Sequence, residues 1–102
     1  MRFEWDENKA AQNLVKHGVS FAEAVQVFDD PDAIVEFDEA HSFSEERFII
    51  IGFSSRQLLL VIYAEKAEDT IRLISARKPS KEQQKEYEPE GKLGKHRKIK
   101  FF

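Results

Sequence analysis

The stretch RFIIIGFSSRQLLLVIYAE (47–65) decides the fold, because it holds two apolar runs of strand length around a short polar connector. The runs RFIIIGF (47–53) and QLLLVIYAE (57–65) are rich in β-branched and aromatic residues, which favour strands. The connector SSR is short enough for an antiparallel hairpin. Both runs are almost continuously apolar, so we expect both faces of this hairpin to be largely covered by other elements.

Two further segments with the same composition flank this hairpin. AIVEF (33–37) precedes it and TIRLISA (70–76) follows it after the short connector KAED (66–69). Together they predict a four-stranded antiparallel sheet. At the start of the chain MRFEW (1–5) alternates large apolar and charged residues, which suits either a short edge strand or an extended lead-in.

The segment ENKAAQNLVKHGVSFAEAVQVF (7–28) predicts a helical hairpin. Asp6 suits an N-cap, Gly18 suits the left-handed residue that ends a helix, and Ser20 with Glu23 forms a capping-box pattern for a second helix. The second helix carries one apolar stripe for the core, formed by Phe21, Ala24, Val25 and Phe28.

A last, polar helix is predicted where Ser80 and Gln83 open the segment SKEQQKEYEPE (80–90). The fold class is therefore α+β, with an N-terminal helical hairpin packed on the four-stranded antiparallel sheet and a C-terminal helix for the second face. Residues 1–91 form the predicted domain. The basic tail KLGKHRKIKFF (92–102) is expected to be loosely ordered.

Composition limits the function to that of one small domain. The chain has 102 residues, of which 41% are hydrophobic and none is cysteine. The absence of cysteine excludes a disulfide framework, a thiolate nucleophile and a zinc site built on Cys. The sequence has neither a secretory h-region nor an apolar run near 18 residues, so we expect a cytoplasmic protein with no membrane association.

The charge is distributed unevenly along the chain. The tail 92–102 holds five Lys and Arg residues and no acid, which leaves 11 basic and 19 acidic residues in 1–91, a net charge of −8. Phosphate affinity depends on Lys and Arg that release counterions, so an acidic body disfavours non-specific nucleic-acid binding. Any nucleic-acid site in this domain must be a local basic cluster.

The sequence predicts no metal and no cofactor. His17, His41 and His96 are far apart in sequence, and none has a metal-ligand partner at helical spacing. No GxSxG nucleophile elbow is present either. The pair Lys16-His17 at the end of the first helix has two interpretations, which are favourable helix-end electrostatics and a substrate contact.

Arg72 and Arg77 are the more informative basic residues. Arg72 interrupts an apolar strand, where a charge must be paired, reach outward or serve a ligand. A regular period of two places Arg72 with Ile74 and Ala76, and Arg77 on the opposite face with Ser75, Leu73 and Ile71. The two arginines can share a site only if Arg77 lies beyond the regular strand or a bulge intervenes. A structural salt bridge is the alternative for either one.

Three segments together resemble the BrnT toxins of BrnT/BrnA type II toxin–antitoxin systems, in the wider RelE/ParE fold group. They are FEWDENKAAQNLVKHGVSFAEAVQVFDDP (3–31), ERFIIIGFSSRQLLLVIYAE (46–65) and IRLISARKPSKEQQKEYE (71–88). The turn EKAED (65–69) departs from the family, because Lys66 stands where an arginine is usual and no glycine is present. The tail 92–102 has no family counterpart.

The resemblance implies a metal-independent endoribonuclease that inhibits translation. It also implies a BrnA-like ribbon-helix-helix antitoxin, a 2:2 complex that represses its own operon, and operator DNA contacts made only through the antitoxin. A ParE-like gyrase poison, a catalytically inactive antitoxin-binding module and a plain structural module remain the alternatives.

The resemblance and the chemistry of RNA cleavage assign roles to seven residues. Histidine can exchange protons near neutral pH, and one arginine side chain can donate hydrogen bonds to two phosphate oxygens at once. The predicted catalytic residues are His17 as acid or base, and Arg72 and Arg77 as phosphate stabilisers. The predicted RNA-binding residues are Lys9, Lys16, Arg56 and Tyr87. Arg56 is alternatively a solvated loop residue, and Tyr87 alternatively docks its own helix.

Overall fold

The structure is a computed structural model that describes residues 1–67 and 69–87. Its strands are β1 Arg2–Glu4, β2 Ile34–Phe37, β3 Arg47–Phe53, β4 Leu58–Lys66 and β5 Thr70–Arg77. Its helices are α1 Glu7–His17, α2 Phe21–Val25 and α3 Lys81–Tyr87, with short 3-10 turns at Gln26–Asp29 and Glu39–His41. The fold class is α+β, as predicted, and the prediction of a loosely ordered tail at 92–102 lies outside the described residues.

Within the described residues the sheet has five strands in the order β1-β5-β4-β3-β2, so the predicted four-stranded antiparallel sheet is wrong in one respect. β2 to β5 pair antiparallel as expected, but β1 adds a fifth strand parallel to β5. Phe3 explains why β1 joins the sheet, since its ring contacts Phe28 edge-on at 5.1 Å and extends the core over β5. Of the two interpretations of MRFEW, the edge strand is confirmed.

One face of the sheet carries the hydrophobic core and the helical hairpin. We call it the helix face, and it presents Leu59, Val61, Tyr63 and Leu73, all nearly inaccessible to solvent. Phe21, Ala24 and Val27 pack against it from α2 and the following 3-10 turn. Of the predicted stripe, Phe21 and Ala24 are core residues and Val25 and Phe28 pack against the core while partly buried. The fully buried Val27 was not predicted.

The helix boundaries follow the predicted caps. The Asp6 carboxylate accepts hydrogen bonds from the backbone N–H groups of Asn8 and Lys9, and Gly18 ends α1 in the left-handed region at φ 71°. The Ser20 hydroxyl accepts from the N–H of Glu23, which is half of a capping box. The Glu23 carboxylate instead accepts from the side chains of Ser54 and Gln57, and so connects α2 to the β3–β4 hairpin.

The side chain of Asn13 joins α1 to the edge of β5. β1 pairs with β5 only at Thr70–Arg72, so the edge of β5 at Ala76 needs another partner. The buried Asn13 amide donates to the Ala76 carbonyl at 2.8 Å and accepts from the Ala76 N–H at 3.1 Å, as a neighbouring strand would. It also donates to the Val19 carbonyl at 2.9 Å, which fixes the turn into α2.

The second face of the sheet is partly covered by α3, which fits the predicted position of the last helix. Tyr87 reaches the end of β3, where its ring contacts Phe53 at 5.5 Å. Its hydroxyl donates to Asp30 Oδ2 at 2.7 Å, and the same carboxylate oxygen accepts from the Phe53 N–H. Asp30 therefore fastens the end of α3 to the end of β3.

The turn EKAED between β4 and β5 has no glycine, and Asp69 is a residue of this turn with a left-handed backbone. Asp69 has φ 64°, in the left-handed region that aspartate tolerates better than most residues. Its carbonyl accepts from the Arg2 N–H at 2.9 Å, and its carboxylate pairs with the N-terminal amine at 3.1 Å. Although its sequence departs from the family, the turn EKAED is therefore bonded to β1.

Replacing Asn13 should destabilise the fold more than any neighbouring change on α1. Asn13→Ala leaves the buried Ala76 N–H and carbonyl without partners, and we expect a loss of about 2–4 kcal/mol in the free energy of unfolding. Urea denaturation followed by circular dichroism measures it. The exposed neighbour Gln12→Ala is the control and should change stability by less than about 0.5 kcal/mol. Equal effects of the two variants would contradict the role given to Asn13.

Candidate functional site

A bulge in β5 brings Arg72 and Arg77 to the same face of the sheet. Ile62 pairs with Ser75 and Tyr63 pairs with Leu73, so Ile74 is an extra residue in β5. Arg72 then lies opposite Ala64 and Arg77 opposite Leu60, two residues of β4 that share a face. This is the face opposite the helix face, and we call it the arginine face. A bulge was one condition under which both arginines could share a site, and β5 has one.

The bulge also corrects the predicted alternation along β5. Ala76 was expected beside Arg72, but it pairs with Val61 on the helix face and is fully buried. Leu73 and Ile71 were expected beside Arg77, but they also belong to the helix face, opposite Tyr63 and Glu65. Side chains alternate between the two faces of the sheet on each side of the bulge, but the alternation does not continue across it.

Arg72 has a partner on the arginine face that the sequence analysis did not identify. Arg47, Ala64 and Arg72 form one row across β3, β4 and β5. Glu45, just before β3, forms an ion pair with Arg72 Nη2, and the same carboxylate oxygen lies 3.8 Å from Arg47 Nε. No local signal in the sequence identified Arg47, because the connector between β3 and β4 is SSRQ (54–57), one residue longer than the predicted SSR. A three-residue connector would have placed Arg47 opposite Tyr63, on the helix face.

Arg77 points to the start of α3 rather than to Arg72. Its guanidinium Nη1 donates to the Lys78 carbonyl at 3.0 Å and to Gln83 Oε1 at 3.3 Å. Along β5 the two arginines are separated by about 13 Å between Cα atoms, since the bulge leaves four regular strand steps between them. They share the arginine face, but their side chains have no hydrogen-bonding partner in common.

His17 lies at the end of α1, on the side of the sheet that carries the helical hairpin. It is half-buried, one helical turn or about 6 Å beyond Asn13, which is hydrogen-bonded to Ala76 next to Arg77. Among residues 1–67 and 69–87, its imidazole has no hydrogen bond or ion pair. Of the two predicted catalytic arginines, Arg77 is thus the one next to the contact between α1 and β5.

Lys9 and Lys16 are exposed on α1 on either side of Asn13. Both occupy the helix surface next to the α1–β5 contact, because residues 9, 13 and 16 lie on one side of a helix. The two ammonium groups are therefore free to meet a ligand at the β5 edge of the sheet.

Arg56 lies far from the arginine pair. It is at the tip of the β3–β4 hairpin, with its side chain 74% exposed and Nη1 at 3.7 Å from Glu23 Oε1. Arg47 is at the opposite end of β3, about 20 Å away along the strand. The structure does not bring Arg56 together with Arg72 or Arg77, which fits the alternative of a solvated loop residue.

The contacts of Tyr87 are those of the docking alternative. Its ring is half-buried against Phe53 and its hydroxyl donates to Asp30. Nearby, burial and then the charge and hydrogen bond of Glu36 raise the pKa of the Glu86 carboxyl, with a smaller effect of Glu82. α3 therefore brings its own acids over the β2 side of the arginine face.

Neither a metal-binding cluster nor a membrane-spanning helix occurs in the described part of the chain. Residues 1–67 and 69–87 contain no group of three or more His, Asp or Glu side chains placed to hold a metal ion. In the same ranges, no helix is both long and apolar enough to cross a membrane.

Comparisons with known proteins identify the family. A family model described as the ribonuclease toxin BrnT of a type II toxin–antitoxin system matches residues 5–83. Since this match covers most of the 102 residues, the chain belongs to the BrnT family of ribonuclease toxins. The resemblance to the BrnT toxins drawn from the sequence is confirmed, and the wider RelE/ParE grouping stays a prediction.

A solved structure supports the same conclusion. The fold is similar to the crystal structure of the Brucella abortus ribonuclease toxin BrnT, with a TM-score of 0.63 and 28% sequence identity. The similarity covers 79% of this chain and 99% of that chain. A search of curated proteins gave no match.

The contribution of Glu23 to the stability of the fold should change with pH in the acid range. Burial opposes the charge of this carboxylate, but hydrogen bonds from Ser54 and Gln57 and the charge of Arg56 outweigh it and lower the pKa of Glu23 from the ordinary 4.5. The ionised group therefore stabilises the fold fully above the unfolded-state pKa. This contribution is lost as the pH falls through the folded-state pKa.

We accordingly expect Glu23→Gln to lower the free energy of unfolding by about 1–2 kcal/mol at pH 7. The difference from the unmodified chain should shrink as the pH falls below about 4.5. Urea denaturation at a series of pH values measures both effects, with the exposed Glu39→Gln as the control. A difference that does not change with pH would contradict the role of the Glu23 charge.

Proposed function

We propose that this chain is an endoribonuclease toxin that cleaves RNA without a metal ion and thereby inhibits translation. The observation that carries the proposal is the bulge in β5, which places Arg72 and Arg77 on one face of the sheet in a chain of a ribonuclease toxin family. Two guanidinium groups on one face of an otherwise acidic domain are the local basic cluster that RNA binding requires.

The chemistry assigns a role to each predicted residue. The 2′-hydroxyl of RNA attacks the adjacent phosphorus in line, the bond to the 5′-oxygen breaks, and a 2′,3′-cyclic phosphate and a 5′-hydroxyl are formed. This step needs a base for the 2′-hydroxyl, an acid for the 5′-oxygen and fixed positive charge at the phosphate. His17 supplies the acid or base and Arg77 supplies the charge at this phosphate, while Arg72 supplies charge to the neighbouring part of the RNA backbone.

The C-terminal end of β5 is the proposed place of the reaction. The hydrogen bonds of Asn13 to Ala76 hold the end of α1, which carries His17, beside the residue that precedes Arg77. Lys9 and Lys16, exposed on the same side of α1, contact the flanking phosphates. Arg72, about 13 Å along the strand, holds a neighbouring part of the RNA backbone.

The proposed partner is a BrnA-like ribbon-helix-helix antitoxin in a 2:2 complex, which contacts operator DNA through the antitoxin alone. A type II toxin family implies an antitoxin that binds the toxin. Exposed aromatic residues near the outer strand β2 offer an apolar contact surface, with Phe43 90% and Phe37 49% exposed.

The proposed activity can be tested on purified protein with a defined RNA in EDTA, with the chemistry of the cleaved ends mapped. We expect ends with 2′,3′-cyclic phosphates. His17→Ala and Arg77→Ala should each reduce the cleavage rate by about a hundredfold or more, because each removes proton transfer or charge stabilisation from the transition state. Arg72→Ala should reduce it about tenfold, because it removes a contact to the RNA backbone.

His41→Ala is the matched control for His17→Ala, since His41 is an exposed histidine paired with Asp38 away from β5. We expect cleavage by this variant within about twofold of the unmodified chain. Intact RNA from a folded protein that still arrests growth would contradict direct cleavage of free RNA. Full activity of the three variants would refute the assigned roles.

A further inference from the structure

The strongest unexplained feature of the arginine face is the side chain of Glu45, which lies between Arg47 and Arg72. One oxygen of this carboxylate is in contact with Arg72 Nη2 and lies 3.8 Å from Arg47 Nε. Two positive charges therefore share one negative charge within ion-pair distance, and the next acid in the row, Glu4 of β1, forms no ion pair with Arg72. The side chains are only partly exposed, at 33% for Arg47, 34% for Arg72 and 25% for Glu45.

The two arginines have more donors than Glu45 can satisfy. Arg47 Nε and Arg72 Nε are buried and have no hydrogen-bond acceptor in residues 1–67 and 69–87. Buried side-chain donors without an acceptor are uncommon in native proteins, and they occur at sites that bind a ligand or ion. A phosphate group presents several oxygens in the geometry that guanidinium groups prefer, whereas Glu45 uses one oxygen for both.

The strand geometry lets the two guanidinium groups converge on one anion. Ala64 separates Arg47 and Arg72 in the row, so their Cα atoms are about 10 Å apart across two strand spacings. The side chain of Ala64 is only a methyl group, so it takes up little of the space between the two arginines.

Glu45 can leave this position without disturbing the sheet. The base of its loop is closed by hydrogen bonds from the Asp38 N–H to the Arg47 carbonyl, at 2.8 Å, and from the Arg47 N–H to Ser42 Oγ, at 2.9 Å. These bonds do not involve Glu45. Its neighbour Phe43 is 90% exposed, so the tip of the loop is not packed against the core.

We propose that Arg47 and Arg72 form a binding site for one RNA phosphate, and that Glu45 occupies this site in the free protein. The proposal rests on the proposed function, and it adds Arg47 as a binding residue and Glu45 as an internal competitor. The RNA phosphate displaces the carboxylate and accepts hydrogen bonds from both guanidinium groups. Removing the charge of Glu45 therefore strengthens RNA binding, although most changes in a binding site weaken it.

The test is fluorescence anisotropy with a labelled 2′-O-methyl RNA oligonucleotide, which has no 2′-hydroxyl nucleophile and is not cleaved. Glu45→Gln should tighten binding about fivefold to tenfold. The matched control is Glu46→Gln, which removes the same charge at the next position. The side chain of Glu46 is exposed and belongs to neither ion pair, so this change should alter affinity less than twofold. Arg47→Lys, which keeps the charge and loses the planar fork, should weaken binding about tenfold.

The double variant Glu45→Gln/Arg47→Ala separates competition from general electrostatics. If Glu45 competes for the arginine pair, its replacement gives no gain once Arg47 is gone, and the double variant binds no better than Arg47→Ala. Equal effects of Glu45→Gln and Glu46→Gln would overturn the proposal. So would a Glu45→Gln variant that lowers the melting temperature and leaves affinity unchanged, because Glu45 would then only stabilise the loop.

Binding to an uncleavable oligonucleotide also keeps this proposal distinct from the nuclease activity. A protein that shows the expected affinity changes but cleaves no RNA would refute the proposed function and retain the phosphate site. A protein that cleaves RNA, with no effect of Glu45→Gln on binding, would refute the phosphate site alone. No measurable binding by either the unmodified chain or Glu45→Gln would overturn it as well.

Discussion

The hydrogen bonds between the Asn13 amide and Ala76 are the constraint on which the functional geometry depends. β1 is only three residues long, so the C-terminal half of β5 would be an open edge of the sheet without them. A single side chain takes the place of a strand there and also holds the carbonyl of Val19 in the turn that follows α1. The ends of α1 and β5, which carry His17 and Arg77, are thereby fixed with respect to each other.

Local signals in the sequence were sufficient for most of the elements. The caps at Asp6, Gly18 and Ser20 act on backbone groups a few residues away, so reading them required no knowledge of the tertiary fold. The parallel pairing of β1 was not predictable in the same way, because it depends on Phe3 meeting Phe28 across the core. Three residues also carry too little periodicity to distinguish a strand from a lead-in.

The candidate site was predicted in its residue types but not in its arrangement. The extra residue Ile74 has no signature in the segment TIRLISAR, and its effect is to reverse the alternation for every position after it. Arg47 was missed for a related reason, since its relation to Arg72 exists only through the register of two strand pairs. The pairing of Glu23 with the hairpin tip likewise depends on a contact between α2 and residues 31 to 34 positions later in the chain.

The pairing of the first strand with the last has a consequence for the synthesis of the protein on the ribosome. β1 and Asn13 both require β5, and the Asn13–Ala76 contact spans 63 positions of sequence. A nascent chain that ends before β5 has neither the sheet edge nor Arg72 and Arg77. The fold and its arginines are therefore acquired together, once β5 has been synthesised, and a chain terminated before β5 lacks both.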